Sequence, residues 1–415
     1  MLRDKMDVIG QLACLLHANG QQTEETTRTV SRVARTWDED VVLLPGWDSI
    51  AIIDLRSTDG SGVRLLCRQP SGVAMNRVAA AGKIAQAATD GVFGVTRMAS
   101  ELRSANALPL VSDTAFSLAS AAGAVALALG FGAGHWSTLL IIGVSAGGGA
   151  ALRRWIGHAG GSPFLQVFVA AMLAGLLGAA WVRLGLSSDL RLVAVCPCMV
   201  MVPGPHLLNG TLDLLAERLP LGWSRLSFAT LTLFAISAGL LCGLLPLHVT
   251  LPPAPPGRDV PLLIAIVTGA AAAACYATFF SLPRHLLGWP IVTAMLVDGS
   301  RWLSMSVLHL GPVVGAGIAG LLAGTLLTPV SRRWHVPFAG IGFAAVVSLM
   351  PGVFVFRMAA AIVTLPGATA ASVPALVGAI ALDGLTASLI VISLSLGIVL
   401  PKHLYDACLD RGGGA

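Results

Sequence analysis

Ten apolar stretches, beginning near residue 115 and recurring to residue 400, constrain this chain more than any other feature. They run approximately 115–133, 136–152, 163–182, 192–212, 226–247, 260–283, 286–302, 310–331, 334–356 and 373–400. A helix needs about 20 residues to cross a hydrocarbon core of about 30 Å. Most of the stretches meet that length. The second is short and carries Gly147, Gly148 and Gly149, and the seventh has only a short clean run before Asp298 and Arg301. Charge follows the same division. Residues 1–114 hold 12 Lys/Arg and 13 Asp/Glu, and the remaining residues hold 14 and 8. The expectation is a polytopic α-helical membrane protein of about ten transmembrane helices, preceded by a small cytosolic α/β domain.

The boundaries follow from the pattern. Residues 1–114 form the cytosolic domain, 115–250 a first set of five helices, 260–400 a second set, and 401–415 a cytosolic tail. Met1–Gly20 is charged and amphipathic, with no apolar core of a signal peptide, so the domain is expected to stay in the cytosol. The net charge of +5 resides in the membrane part, where loop arginines set orientation, and does not point to nucleic acid. The seven cysteines are scattered, which argues against a disulfide framework or a zinc site, and no metal or cofactor is expected.

Within the N-terminal domain, Val30, Val33, Ala34 and Trp37 recur at helical spacing behind a start at Thr23. Val41–Leu44, Ser49–Leu55 and Gly62–Arg68 read as strands, the last two joined by a turn containing Asp59-Gly60. From Val73 to about Asn106 the pattern returns to helix, opened by Asn76-Arg77. His17 is the domain's only histidine, and no nucleophile–base grouping appears, so the chain is not expected to be an enzyme.

Loop charges orient the spans. With the N-terminus inside, nine Lys/Arg residues fall on the cytoplasmic side (among them Arg153, Arg154, Arg218 and Arg225) and five on the other (Arg183, Arg191, Arg258, Arg301 and Arg357). That predicts an even number of spans with both termini cytoplasmic. Seven tryptophans near span ends fit an aromatic belt.

The two sets align at an offset of about 148 residues. Pro163 with Met172–Gly175 matches Pro312 with Leu321–Gly324, Val202-Pro203-Gly204 matches Met350-Pro351-Gly352, and Arg153-Arg154 falls opposite Arg301. Five is odd, so a five-span unit followed by its copy re-enters the membrane from the other side. Such an inverted repeat is a common plan for secondary transporters, whose sites lie near the midplane at broken helices. No phosphate-binding loop of the type GxxxxGK[ST] is present, which argues against a nucleotide-fuelled pump.

Pro203-Gly204-Pro205 and Pro351-Gly352 interrupt the fourth and ninth spans. Proline removes a backbone donor, and broken helices in hydrocarbon are tolerated where they line a cavity or are buried in protein; an ordinary kink is the alternative. His206 and Asn209 follow the first break, and Arg357, six residues after Pro351, is Asn209's mate at the offset. Substrate contact is expected from Pro203, Gly204, His206, Asn209, Pro351, Gly352 and Arg357; for Arg357, snorkelling to the interface is the alternative. Intramembrane carboxylates Asp383, Asp213 and Asp298 are candidates for proton coupling, with structural pairing, as of Asp298 with Arg301, the alternative. Gly311-x-x-x-Gly315 and Gly320-x-x-x-Gly324 read as helix-packing motifs.

The segment Val202-Pro203-Gly204-Pro205-His206-Leu207-Leu208-Asn209-Gly210-Thr211-Leu212-Asp213 resembles the Pro-Gly, Asn and Asp segment of the threonine/serine exporter family. The preceding domain with Asn76-Arg77 and the second half with Pro351-Gly352 are similar as well. The resemblance implies a ten-span exporter of the bacterial inner membrane driven by protons, with an amino acid as its small-molecule partner. It departs at Pro205-His206, where aliphatic residues are expected, and in a short N-terminal domain. Some split members of the family export dicarboxylates such as succinate, so dicarboxylate export is the alternative substrate reading. A membrane-anchored enzyme using the N-terminal domain, or a sensor, are the other classes. Partners are the substrate, the lipid bilayer and protons, with a homo-oligomer open.

Overall fold

A computed structural model describes residues 2–56, 62–67, 70, 72–186, 190–249 and 260–412. The N-terminal domain opens with helices α1 (Leu2–Ala18) and α2 (Thr23–Thr36), continues with strands β1 (Val41–Pro45), β2 (Ser49–Asp54) and β3 (Val63–Cys67), and closes with helices α3 (Met75–Thr89) and α4 (Val95–Asn106). The strands form one antiparallel sheet in sequential order, with Leu43 opposite Ile52 and Ile50 opposite Leu66. Alternation in β2 sends Ile50 and Ile52 into a core with Ile9, Leu12, Leu16, Val30, Val33 and Met98. The Asp59-Gly60 turn lies outside the described residues. The single helical pattern expected from Val73 to Asn106 is two helices, because Gly91 takes φ +76° and turns the chain.

The remaining helices are α5 (Asp113–Gly130), α6 (Trp136–His158), α7 (Pro163–Arg183), α8 (Leu190–Met199), α9 (Gly204–Leu215), α10 (Leu219–Leu244), α11 (Leu262–Phe279), α12 (Gly288–Trp302), α13 (Pro312–Trp334), α14 (Phe338–Val346), α15 (Gly352–Thr364) and α16 (Val373–Gly412). Among the described residues, seven helices (α5, α6, α7, α10, α11, α13 and α16) are long and apolar enough to cross a membrane. Two bent pairs, α8 with α9 and α14 with α15, pass the same test together. The seventh predicted stretch forms α12, at 15 residues too short to count, continued by a π-helical turn over Leu303–Val307. The Gly-rich second stretch does not break: α6 runs through its glycines for 23 residues. The protein is thus a multi-pass membrane protein with a small mixed domain at its N-terminus.

Local signals set several helix starts. Ser112 and Ser162 cap α5 and α7 by accepting the N–H of Ala115 and Leu165. Pro163 and Pro312 occupy the first turn of α7 and α13, where the missing N–H is harmless. Pro220 does the same for α10, which starts at Leu219 rather than near residue 226. Arg225, counted in sequence among the loop charges, is therefore inside a helix, as are Arg301 and Arg357 in α12 and α15.

Packing follows the same order in both sets. Helices α5, α6 and α7 pack in sequence, α7 packs along α10, and α9 lies on α10; α11, α12 and α13 pack in sequence, α13 along α16, and α15 on α16. Glycine permits the two closest crossings. A methyl group on Gly239 or Gly243 would strike the α7 backbone, and one on Gly320 or Gly324 would strike α16 at Leu394 and Ile398, the packing role expected for that motif. Trp136, Trp155, Trp223 and Trp289 are exposed near helix ends, as a belt at the lipid interface requires.

The N-terminal domain is docked on one end of the bundle. Met75 and Asn76 donate their N–H groups to the carbonyls of Phe280 (3.0 Å) and Ser281 (3.2 Å), just past α11. The Asn76 side chain donates to Pro109 O and Arg77 to Leu108 O, bracing the segment that leads into α5. Asn76-Arg77 therefore opens α3 and holds the domain on its connection.

Candidate functional site

The fourth and ninth apolar stretches are broken where the prolines predict. Helices α8 and α9 meet at 55°, and the α14 segment meets α15 at 67°. Pro203 and Pro351 are the N-caps of α9 and α15, so each lower helix begins at a glycine. The two breaks touch. Gly204 lies against the Phe343 ring of α14, where a side chain of any size would overlap it, and Gly352 lies against the Met199 side chain at the end of α8. Tyr276 donates its hydroxyl to Met199 O at 3.1 Å, satisfying a carbonyl at the end of α8. Phe343 also meets Tyr276 edge-on at 5.7 Å. This contact forms a wall at the centre of the bundle.

A cavity lies on each side of that wall. One, of about 350 Å³, is lined by Gly72, Val73 and Leu110 near the N-terminal domain, Phe116 at the start of α5, and Tyr276, Phe279 and Phe280 at the end of α11. The other, of about 230 Å³, is lined by Ala126, Leu127, Gly130 and Phe131 at the end of α5 and by Ala265 and Thr268 at the start of α11. Helices α5 and α11 pack together and run antiparallel, so the cavities lie toward opposite ends of that pair: Phe116 and Tyr276 line one, Ala126 and Thr268 the other. We call them the near and far cavities, relative to the N-terminal domain.

Their walls correspond at the offset seen in sequence. Arg153, Pro163, Val200, Met201, Val202 and Pro203 line the near cavity, and Arg301, Pro312, Ser348, Leu349, Met350 and Pro351 line the far one. The charges differ. The near cavity holds Arg153 and Arg154, with the Arg154 guanidinium 4.2 Å from the Phe116 ring centre. The far cavity holds Arg301 together with Asp298, whose Oδ2 accepts a hydrogen bond from Ser348 at 2.9 Å.

The expected site residues divide into two groups. Pro203, His206, Pro351 and Asp298 line cavities; Gly204 and Gly352 form the wall between them. Asn209, Asp213, Arg357 and Asp383 have partners within the protein instead. Asn209 is buried and donates to Gly20 O of the N-terminal domain at 3.3 Å. Asp213 on α9 forms an ion pair at 2.9 Å with Arg225 on α10, both side chains at most 2% exposed. Arg357 on α15 forms one at 3.2 Å with Asp383 on α16. Both contacts are ion pairs by distance, without the alignment of directed hydrogen bonds. Each pair ties the lower half of a broken helix to the last helix of its set, with the charges exchanged between sets. Asn209 and Arg357, mates in sequence, are thus not brought to a common site.

Arg225 and Trp47 escaped the sequence reading. Pro220 signals the α10 start that would have put Arg225 inside the helix. Trp47, in the turn between β1 and β2, carried no signal. Its ring lies 5.9 Å from His206 and 5.2 Å from Phe228, so the N-terminal domain reaches the broken helix α9. Behind it sits His17, fully buried, its proton affinity lowered to about 4, first by burial and then by the nearby Arg225 guanidinium.

Comparison with known proteins agrees with this architecture. Residues 7–245 match the family described as "Putative threonine/serine exporter", a span that takes in the N-terminal domain and the first set of helices. Over 371 residues the chain is 24% identical to a "Probable threonine/serine exporter" of Mycobacterium tuberculosis, covering 86% of this chain and 69% of that protein. Over 251 residues it is 29% identical to a "Threonine/serine exporter" of Corynebacterium glutamicum, covering 57% of this chain and 49% of the other, about half that relative's length. No solved structure matches it. With more than half of its length matched by the family, the chain belongs to the threonine/serine exporter family.

Proposed function

We propose that the protein is a secondary transporter that exports small amino acids, threonine and serine first, from the cytoplasm across a bacterial inner membrane. One observation carries this reading. Two cavities with corresponding walls lie toward opposite ends of the α5/α11 pair, each lined by the proline of one of the two breaks that meet at Gly204 and Gly352. A transporter built as an inverted repeat needs this arrangement: opening one cavity while closing the other carries a solute past the wall. The matched packing of the two sets and the antiparallel α5 and α11 support the 5+5 repeat, with α12 and its π-helical turn as the seventh of ten spans. The relatives named as threonine/serine exporters support the substrate class.

In this reading the near cavity faces the cytoplasm, capped by the N-terminal domain, and both termini are cytoplasmic. Asp383 and Asp213 are the proton candidates. Each forms an ion pair with an arginine, Arg225 for Asp213 and Arg357 for Asp383, that a conformational change would have to separate before the carboxylate could exchange a proton. The test is efflux from cells loaded with a threonine-containing dipeptide, followed with and without a proton gradient. Threonine release that collapses with the gradient, and release lost in Asp383→Asn, are expected. Release indifferent to the gradient would remove the proton from the mechanism. Proteoliposomes that exchange succinate but neither threonine nor serine would replace the substrate.

A further inference from the structure

Resting on the transporter reading, we propose that the far cavity is a binding site for an amino-acid zwitterion, with Arg301 receiving the carboxylate and Asp298 the ammonium group. The two residues sit one helical turn apart on α12, about 4.5 Å along the axis, and both line the same cavity. Charged groups inside a membrane bundle are costly and face a cavity or a partner. Arg301 has no acceptor within hydrogen-bond or ion-pair distance among the described residues, so its guanidinium fork is available to a ligand carboxylate, which it can hold by two parallel hydrogen bonds. Asp298 is held in place from two sides. Ser348, just before the break at Pro351, donates to its Oδ2, and Gly269 on α11 leaves the space its carboxylate occupies. A residue fixed by a neighbouring hydroxyl and by the absence of a side chain on the facing helix is a preorganised acceptor. Thr268, beside Gly269 on the cavity wall, offers a hydroxyl near the bound side chain.

The other half lacks this arrangement. At the offset, Arg301 corresponds to Arg153, but Asp298 corresponds to Ala150 and Ser348 to Val200. The cation is common to both cavities and the anion belongs to the far one. A ligand with two carboxylates would meet Asp298 as a like charge there, whereas a zwitterion matches both groups. The far cavity therefore selects amino acids over dicarboxylates, a distinction the near cavity's charges do not make.

The test combines counterflow with ligand protection in proteoliposomes of the full chain. Met305→Cys on the far cavity wall is labelled with a membrane-impermeant thiol reagent, above the background of the unsubstituted protein. L-threonine is expected to slow labelling at least tenfold, while threoninamide (no carboxylate), N-acetylthreonine (no ammonium) and succinate leave it unchanged. In parallel, Arg301→Met is expected to weaken threonine binding on the order of 30-fold or more. Gly269→Ala, which crowds the Asp298 carboxylate without removing a charge, is expected to weaken protection by threonine while leaving the labelling rate without ligand unchanged. Unchanged labelling in the presence of threonine, with threonine counterflow intact, would overturn the site and leave the transporter reading standing. Absence of counterflow of any amino acid by the unsubstituted protein would overturn both.

Discussion

The near and far cavities share a frame but not a chemistry. Each is bounded by a helix broken at a proline and glycine, by the antiparallel α5/α11 pair, and by an arginine at the same position of its set. The near one is capped by the N-terminal domain, and the charged residues lining it, Arg153 and Arg154, are both cations, with Phe116, Phe279 and Tyr276 around them. The far one adds Asp298, Ser348 and Thr268. The lesson is a division of labour: the repeated backbone supplies the route, and the substitutions between copies supply selectivity and control. The charge pairs show the same division, since Asp213–Arg225 is sealed beneath the N-terminal domain whereas the Arg357 side chain is 17% exposed.

The largest effect should come from unbalancing those pairs. Arg225→Met leaves the buried Asp213 carboxylate without its ion-pair partner and should cost about 3–5 kcal/mol of stability. Arg357→Met, at the more exposed pair, should cost less than half as much. Thermal unfolding of the two purified variants ranks them, and equal losses would erase the distinction.

The wall comes next. Gly204→Val must displace the Phe343 ring, and overpacking of this kind costs about 1–3 kcal/mol. Gly352→Val presses on the flexible Met199 side chain and should be milder. The first should reduce efflux at least tenfold and the second only a few-fold, measured at matched protein levels. A more damaging Gly352 variant would mean that the two breaks carry the opposite roles.

A smaller effect is set by pH at the cap. His17 is buried in its neutral form, with its pKa lowered to about 4 from an ordinary value near 6.5. The docked state therefore binds fewer protons than the undocked one between those values, so docking weakens as pH falls through 6.5 and stops weakening near 4. By pH 5 the loss should reach about 2 kcal/mol. Limited proteolysis of the segment preceding α5 should speed up between pH 7 and 5 in the unsubstituted protein and change little in His17→Asn. A flat profile in both would detach His17 from docking.

Much of this arrangement was legible in the sequence because it rests on local rules. Pro203 and Pro351 remove backbone donors and so break their helices, and the apolar runs place most of the long helices. The strands followed from short runs rich in Val, Ile and Leu, and the α12 stretch was already short of clean apolar residues. The partners of the charges were not legible. Arg225 looked like a loop residue until α10 began at Leu219, and Arg357 looked like a substrate ligand until Asp383 lay 3.2 Å away. Those pairings join residues 12 and 26 positions apart on different helices, a matter of helix rotation that composition does not encode. Trp47 is a further case, since only docking of the domain brings it to His206.

Transport by this fold requires the two cavities to open in alternation across the wall at Gly204 and Gly352. The direct measurement is impermeant thiol labelling of Gln166→Cys in the near cavity and Ser306→Cys in the far one, each in proteoliposomes of known orientation under opposed threonine gradients. Alternation predicts that any condition raising the labelling rate at one position lowers it at the other. Rates that rise and fall together, or that ignore the gradient, would contradict it.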